Sequence, residues 1–416
     1  EEVTLANGTL DLVLNHGNTG NATVSVNAFG PATTATTNYT VAATDVTGEL
    51  NHNSIALSSG TATLKDAGGN QPQVWTAATT LAANKDIVID GVRPTISKIN
   101  STKAAGYYKV GEIIPILIHF TEAVSTTAAN IVAATLETGS TNADAILTYG
   151  AFDDKTSATA NYTVRTNDYN TSLTVNSIAV SNGQRVNDQA GNEMTSKAIP
   201  NGKNLADEVI DIFVDGVLPV DPGTAITMVS TGGNVVADKY NDTNTGVDFT
   251  VAIQTTDASL VQGTIQMKAK IAPNGWTSIG DPHTITDANK TAGSAVVSVL
   301  SAPIEGLTGF VTDAIIIIKA TVTDIAGNAT DWAESTNKLT VDVTRPTITS
   351  ATSTTDAGLY NTADAINTTL GFNEAVTLSG GDLTITLNTA GTSTVAEADL
   401  SNASTISTTY TVSSGE

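Results

Sequence analysis

The stretch IVIDGVRPTIS (residues 87–97) decides the interpretation of this chain, because two variants of it follow. They are IFVDGVLPVDP (212–222) and LTVDVTRPTIT (339–349). Each copy carries an aspartate four residues ahead of a proline, and successive prolines lie 125 and 127 residues apart. The aspartates are Asp90, Asp215 and Asp342. A repeat of this length that closes on an apolar strand and a proline is a domain-sized module, so the sequence predicts a tandem array.

The composition predicts strands and turns. Among the 416 residues only 14% are charged and 5% aromatic, and Thr, Ser, Ala, Asn, Gly and Val dominate. These residues are poor at covering helix surfaces and common in strands and turns. The net charge of -23 argues against a nucleic-acid partner. An acid excess fits either cation binding or simple solubility at high salt, and both interpretations stay open here.

Cysteine and hydropathy exclude further classes of protein. The chain has no cysteine, which excludes disulfides, zinc–thiolate sites and thiol chemistry. A secreted protein without disulfides needs another staple, and a bound metal is one option. The longest apolar run, 113–118, has the length of a buried strand, so no membrane insertion is expected in this segment.

Alternating apolar residues predict the fold class. Ile114, Ile116, Ile118 and Phe120 recur at period two, which is typical of a strand with one buried face. The segments TNYTV (37–41), ANYTV (160–164) and TTYTV (408–412) are expected to form further strands. Seven or so short strands in about 120 residues indicate a sandwich. We therefore predict an all-β chain of tandem immunoglobulin-like β-sandwich modules in a rod, stiffened by the linker prolines.

The module boundaries follow from the repeats. We predict a partial module at 1–92, whole modules at 93–217 and 218–344, the latter divergent, and a partial module at 345–416. EEVTLANGTLDLVLN (1–15) matches EAVTLSGGDLTITLN (374–388), so the first module is expected to lack its first strands and the fourth its last. The chain is then either a segment of a longer protein or a polymer subunit that self-associates through its terminal modules by strand exchange.

Three further features recur in order. The module start YKVGEIIPILIHFTEAV (108–124) is echoed by YNTADAINTTLGFNEAV (360–376), and the first three modules end on variants of VIDGVRPT. The loop DxxGN appears at 66–70, 188–192 and 324–328. The ordered set resembles the bacterial immunoglobulin-like repeats of giant surface adhesins and S-layer proteins, over nearly the whole chain. The resemblance implies an extracellular scaffold or adhesin, often stiffened by calcium, and it identifies no ligand.

Strand order predicts where the acidic residues meet. In an immunoglobulin sandwich the loop after the second strand and the loop before the last strand lie at the same end, where the preceding linker also enters. Carboxylates there suit Ca²⁺, which takes six to eight oxygen ligands. The alternative is that DxxGN is merely a tight turn in which Asp bonds its own backbone. The candidate metal ligands are Asp90, Glu122, Asp188 and Asn192; Asp215, Asp257, Asp324 and Asn328; and Asp342 with Glu374.

The enzyme hypothesis has little support. His16, His52, His119 and His283 do not recur between modules and are expected on the surface, and no catalytic motif is present. We expect a structural, non-enzymatic protein at the cell surface, forming a layer, a filament or an adhesin stalk. The alternative is an adhesive module that recognises a glycan or a cell-surface protein through the divergent third module, which contains Trp276.

Overall fold

The computed structural model describes residues 1–16, 20–208 and 211–416. The chain is all-β and of the sandwich type, with about 43% strand and 6% helix, which confirms the predicted fold class at that level. None of the helices in the described ranges is long and apolar enough to cross a membrane. The short helices are α1 (Leu81–Asn84), α2 (Leu205–Glu208), α3 (Asp287–Ala292) and α4 (Ser301–Glu305), with 3-10 turns at Ala258–Leu260 and Glu397–Asp399.

The chain forms two compact units. Unit one comprises Glu1–Val220, Asp257–Gly263 and Thr323–Thr330. Unit two comprises Asp221–Thr256, Thr264–Val322 and Asp331–Glu416. Each sheet described below takes its strands from one of the ranges 1–92, 93–217, 218–344 and 345–416.

Residues 1–92 form three small antiparallel sheets, ordered β4-β1-β7, β3-β2-β6 and β5-β8. Leu14, Leu50 and Ile89 are the buried centre of one core. Residues 37–41 were predicted to be a strand and form none. The equivalent strand at 155–163 pairs along 113–119, and the range 1–92 contains no counterpart of that partner. The strands are β1 (Val3–Ala6), β2 (Leu10–Asn15), β3 (Asn21–Val26), β4 (Phe29–Ala32), β5 (Val46–Thr47), β6 (Asn51–Leu57), β7 (Thr63–Asp66) and β8 (Ile89–Asp90).

Residues 93–217 pack three sheets around one core, ordered β10-β18-β15, β14-β11-β17 with β9 beside β11, and β13-β12-β16. Ile114, Ile116 and Ile118 are all fully buried, as their alternation predicts. The strands are β9 (Ile96–Ser101), β10 (Gly106–Lys109), β11 (Ile113–Thr126), β12 (Val132–Glu137), β13 (Ala145–Thr148), β14 (Lys155–Thr163), β15 (Tyr169–Asn170), β16 (Thr174–Val180), β17 (Val186–Asp188) and β18 (Ile212–Asp215).

The range 218–344 contains a β19-β21-β25 sheet and a larger sheet that runs β20-β28-β26-β22-β23. Residues 345–416 form the sheets β29-β30-β33 and β31-β32. The strands are β19 (Thr227–Thr231), β20 (Lys239–Asn241), β21 (Gly246–Ala252), β22 (Thr264–Ile271), β23 (Thr277–Ser278), β24 (His283–Thr284), β25 (Ser294–Leu300), β26 (Ile315–Thr323), β27 (Ala329–Asp331), β28 (Leu339–Asp342), β29 (Ile348–Thr352), β30 (Ala365–Val376), β31 (Leu383–Thr386), β32 (Thr392–Val395) and β33 (Ala403–Thr411).

A tyrosine–acid pair recurs in the three YTV segments. In each segment the tyrosine hydroxyl donates to the carboxylate six residues later; the pairs are Tyr39–Asp45, Tyr162–Asp168 and Tyr410–Glu416. The first pair has His16 beside it, with Nδ1 3.0 Å from an Asp45 oxygen. His16 was predicted to lie on the surface and is 7% exposed, because its ring stacks on Tyr39 beside that buried carboxylate.

Candidate metal sites at the module junctions

The structure brings three predicted carboxylates together at the first junction. Asp90, Glu122 and Asp188 each offer one oxygen, and these three oxygens all lie within 4.8 Å of one another. Two ligands on opposite sides of a Ca²⁺ ion are about 4.6–5.2 Å apart, given Ca–O distances of about 2.3–2.6 Å. The group is therefore compact enough to share one ion. We call these three residues with Asn192 the Asp90 cluster.

Three separate elements position the Asp90 cluster. Asp90 ends β8, just before the proline linker. Glu122 lies where the register of β11 against its neighbours shifts, between His119 and Val124, and such a bulge re-aims side chains. Asp188 ends β17 and pairs with Val124 of β11, which places it close to Glu122.

The DxxGN loop is a tight turn, as the second interpretation predicts. The backbone N–H of Asn192 donates to one Asp188 oxygen and its side-chain Nδ2 to the other, both at 2.7 Å. The same Nδ2 donates to the backbone carbonyl of Asp90 at 3.0 Å. Asn192 thus fastens the turn to the linker. The turn arrangement leaves further lone pairs on the Asp188 carboxylate, so it is compatible with a metal ion.

The second junction repeats this arrangement within unit one. We call Asp215, Asp257, Asp324 and Asn328 the Asp215 cluster. Asn328 donates to both oxygens of Asp324 at 2.8 Å and to the Asp215 carbonyl at 2.9 Å. Its Oδ1 accepts a hydrogen bond from the backbone N–H of Val110 at 3.1 Å, so this oxygen already has a partner within the protein. In contrast to the first junction, the carboxylates of these described residues do not all come within 4.8 Å.

Asp215 is the most deeply buried of the candidate metal ligands. It is 2% exposed, and its Oδ2 has no hydrogen-bond partner. Burial, together with the charge of Asp324, raises the pKa of its carboxyl to about 6. Burial likewise raises the pKa of Asp324, and Asp257 adds to the effect. Within the described residues no lysine or arginine forms a salt bridge with these carboxylates, and Lys109, the register partner of Asp215, donates to the Gly327 carbonyl of the turn at 3.3 Å.

The same electrostatics operate at the first junction. Burial raises the pKa of Glu122, and the charges of Asp90 and Asp188 raise it further. Within the described ranges no lysine or arginine forms a salt bridge with any of these three carboxylates. A bound cation would therefore relieve the repulsion between the negative charges of these three carboxylates.

The third predicted set consists of two residues. Asp342 ends β28 and Glu374 lies in the register shift of β30, where Asn373 Nδ2 approaches it at 3.4 Å. No group of three close carboxylates includes either residue in the part of the chain that the structure describes.

One aromatic surface was not predicted from the sequence. β10 pairs in parallel with β18, so Tyr107 is the register partner of Phe213, and their rings stack at 4.6 Å. Tyr169 on β15 is the register partner of Asp215 on the other side of β18. The alternation of Ile212 and Val214 places Phe213 and Asp215 on the other side of their strand. The sequence carries no signal that three short strands far apart in the chain would place these aromatic residues side by side.

Comparison with known proteins gives no family. No protein-family model matches the chain, and no characterised protein matches it. Among solved structures, the crystal structure of the S-layer protein rSbsC(31-844) aligns with 78% of this chain at 10% sequence identity and a TM-score of 0.21. The alignment spans about half of that protein's length, 51%.

Proposed function

We propose that this chain is a non-enzymatic structural protein of the cell surface, part of a layer, a filament or an adhesin stalk, whose module junctions are stiffened by Ca²⁺. The observation that carries the calcium proposal is the Asp90 cluster, where oxygens of three carboxylates lie within 4.8 Å. The surface role is supported by the ordered repeats and their resemblance to the immunoglobulin-like repeats of surface adhesins and S-layer proteins. Self-association through the first and fourth modules belongs to the same proposal.

Calcium suits the Asp90 cluster better than a transition metal. Its ligands are all oxygens, and it has neither cysteine nor histidine. An ion there would replace the repulsion that raises the pKa of Glu122 with attraction. It would also join β8, β11 and β17, which lie on both sides of the linker, and so stabilise the junction by mass action.

The calcium proposal is tested by calorimetry and native mass spectrometry on the whole chain. We expect Ca²⁺ to raise the unfolding temperature above its value in chelator, and Glu122→Gln to remove one bound ion. Asp66→Asn is the matched control, because Asp66 and Asn70 form the same turn outside the two clusters. That change should lower stability equally with calcium and with chelator.

Identical unfolding curves with calcium and with chelator would refute the calcium proposal and leave DxxGN as a turn alone. The surface role has a separate test. Antibodies raised against residues 93–217 should label intact cells that produce the protein, and labelling only after lysis would contradict it.

A second candidate function is glycan binding by the third module. Trp276 lines a cavity of about 250 Å³ together with polar groups of Asn274, Thr277 and Thr308. The Nζ atoms of Lys270 and Lys319 lie 4.3 and 4.8 Å from the centre of its ring. A ring beside a polar cavity favours a sugar, since one face of a sugar is apolar and its rim is polar.

Glycan binding is tested on an array with the whole chain and with Trp276→Ala. Trp75→Ala is the control, since Trp75 does not line the cavity. A glycan bound equally by all three proteins would exclude the Trp276 cavity as its site.

A further inference from the structure

The strongest unassigned feature is a cleft in unit one, lined by the outer face of the β10-β18-β15 sheet. We call it the aromatic cleft. Its volume is about 270 Å³. Tyr107, Phe213 and Tyr169 form a wall on one face of the sheet, to which Asp215 also belongs by register. Ser259 and Gln262 complete the lining. The volume is just below the range of about 300–1,000 Å³ that is usual for small-molecule sites, so the cleft suits a head group or a single side chain.

The aromatic wall is open to solvent and held in place. Tyr107 and Tyr169 are 43% and 42% exposed, although both rings lie on a packed sheet. Neither phenol hydroxyl makes a hydrogen bond within the described residues. Tyr169 follows Asp168, whose carboxylate accepts hydrogen bonds from Tyr162, Arg165 and Asn142. A surface that remains exposed on rigid strands is preorganised for a ligand.

The charged residue that lines the cleft is acidic, namely Asp215. Asp215 is only 2% exposed, and its Oδ2 has no hydrogen-bond partner. Asp215 is the register partner of Tyr169 and both line the cleft, so the carboxyl group lies beside the aromatic wall. No lysine or arginine in the described ranges forms a salt bridge with Asp215, Asp257 or Asp324. A buried carboxylate without a positive partner is unfavourable.

We propose that the aromatic cleft binds an organic cation, namely an alkylated ammonium group. The faces of aromatic rings attract cations, and the attraction is stronger where water is excluded. The alkyl substituents of such a cation contact the rings, while its charge faces Asp215. A bare Ca²⁺ ion does not fit the aromatic part of the cleft, since it requires oxygen ligands throughout. The proposal goes beyond the structural role and does not depend on calcium at the junctions.

The ammonium group has two possible sources, a quaternary ammonium head group or a lysine side chain of a partner protein. Isothermal titration of the whole chain in chelator uses three probes: choline, its uncharged isostere 3,3-dimethylbutan-1-ol, and N-acetyl-lysine methylamide. Binding of either cation with no binding of the isostere supports the proposal, and the preferred cation identifies the source. Equal binding of choline and the isostere would show an apolar pocket and overturn it.

Variants locate the binding. Phe213→Leu and Tyr169→Leu should each weaken cation binding about two- to thirtyfold, the range expected for one cation–π contact. Tyr360→Leu is the control, because Tyr360 is a partly exposed tyrosine of unit two, away from the cleft lining. Asp215→Asn should weaken binding at least as much, and circular dichroism establishes that each variant is folded.

The calcium proposal and this one can fail separately. If calcium binds the Asp215 cluster, its charge should weaken choline binding, whereas choline binding in chelator is expected even if calcium does not bind. If neither cation binds the folded chain at millimolar concentration in chelator, the proposal is wrong whatever calcium does.

Discussion

At the residue scale, Asp215 is the carboxyl group of the two clusters whose pKa is most clearly raised. Its carboxyl is buried, one oxygen is unpartnered, and its pKa is raised to about 6 from an ordinary value of 3.8. The folded protein therefore holds the Asp215 proton more tightly than the unfolded chain does. It follows that folding is opposed by this group once it ionises, and that a bound cation would relieve the opposition.

We predict that, in chelator, unit one is more stable at pH about 5 than at pH about 7.5. The unfavourable contribution of Asp215 grows as the pH rises from about 4 to about 6, and it is complete above that, at roughly 2–3 kcal/mol. Asp215→Asn should remove most of this difference. Calorimetric unfolding at the two pH values checks it, and equal pH dependence in both proteins would contradict the assignment to Asp215.

Sequence reasoning located some of these residues and not others. Strand order was enough to predict that Asp90, Glu122 and Asp188 meet, although Glu122 lies at a register shift within β11 and not in a loop after it. The burial of Asp215 was not predicted, since it lies on the outward parity of its strand. What covers an outward residue is decided by tertiary packing, and a period-two pattern holds no information about it.

At the element scale, the DxxGN turn serves as a fastener. Asn192 and Asn328 each bond the aspartate of their own turn and the carbonyl of the preceding linker. The turn at Asp66 has the same internal bonds, but its asparagine is exposed. The turn residues were predictable from Gly and Asn chemistry, whereas the bond to the linker required the structure.

We predict that Asn328→Ala destabilises the chain by about 2–3 kcal/mol. The change leaves Asp324 Oδ2 and the Asp215 carbonyl without their side-chain donor, whereas the backbone N–H at 328 still donates to Asp324 Oδ1. Asn70→Ala removes the equivalent side-chain bond to Asp66 at an exposed site, where water replaces it, and should cost less than about 1 kcal/mol. Urea unfolding of both variants provides the comparison. If both variants lose the same free energy of unfolding, burial of the turn at 324–328 contributes nothing to stability.

The tyrosine–acid pair is a second element-scale device. Asp168 is fully buried, and burial acts to raise the pKa of its carboxyl. Hydrogen bonds from Arg165, Asn142 and Tyr162 outweigh burial, so the pKa lies below its ordinary value. The ionised form is therefore the stabilising one, and its contribution is complete above pH about 4 and lost as the pH falls further.

We predict that Asp168→Asn costs about 3 kcal/mol at neutral pH, since it breaks a buried charged network. Tyr162→Phe removes one hydrogen bond of the network and should cost about 1–2 kcal/mol. The deficit of Asp168→Asn should shrink as the pH falls below about 4, because the unfolded chain then binds a proton that the folded wild-type carboxylate does not yet bind. Unfolding measured across pH tests this, and a deficit that stays constant at low pH would refute the role of the charge.

At the scale of the whole molecule, the net charge of -23 matters most at the junctions, where carboxylates lie close together. The sequence predicted the all-β class correctly because alternation recurs in nearly every segment. The strand predicted at 37–41 was wrong, since propensity describes a single segment while a strand requires a partner. The aromatic cleft was missed for the same reason.

The asparagine fasteners have a consequence for proteolysis. A protease binds its substrate as an extended strand with free backbone groups. At the first two linkers the aspartate carbonyl is held by Asn192 or Asn328, and the N–H of Val92 or Val217 is held by the aspartate side chain. No asparagine side chain in the described ranges holds the Asp342 carbonyl.

We therefore predict that brief digestion with proteinase K cuts near 342–346 first, and that Asn328→Ala opens a second site near 215–219. N-terminal sequencing of the fragments identifies the order, and early cleavage at 90–94 would contradict it. On this prediction, an asparagine that closes a turn also slows proteolytic cleavage of the linker that precedes its module.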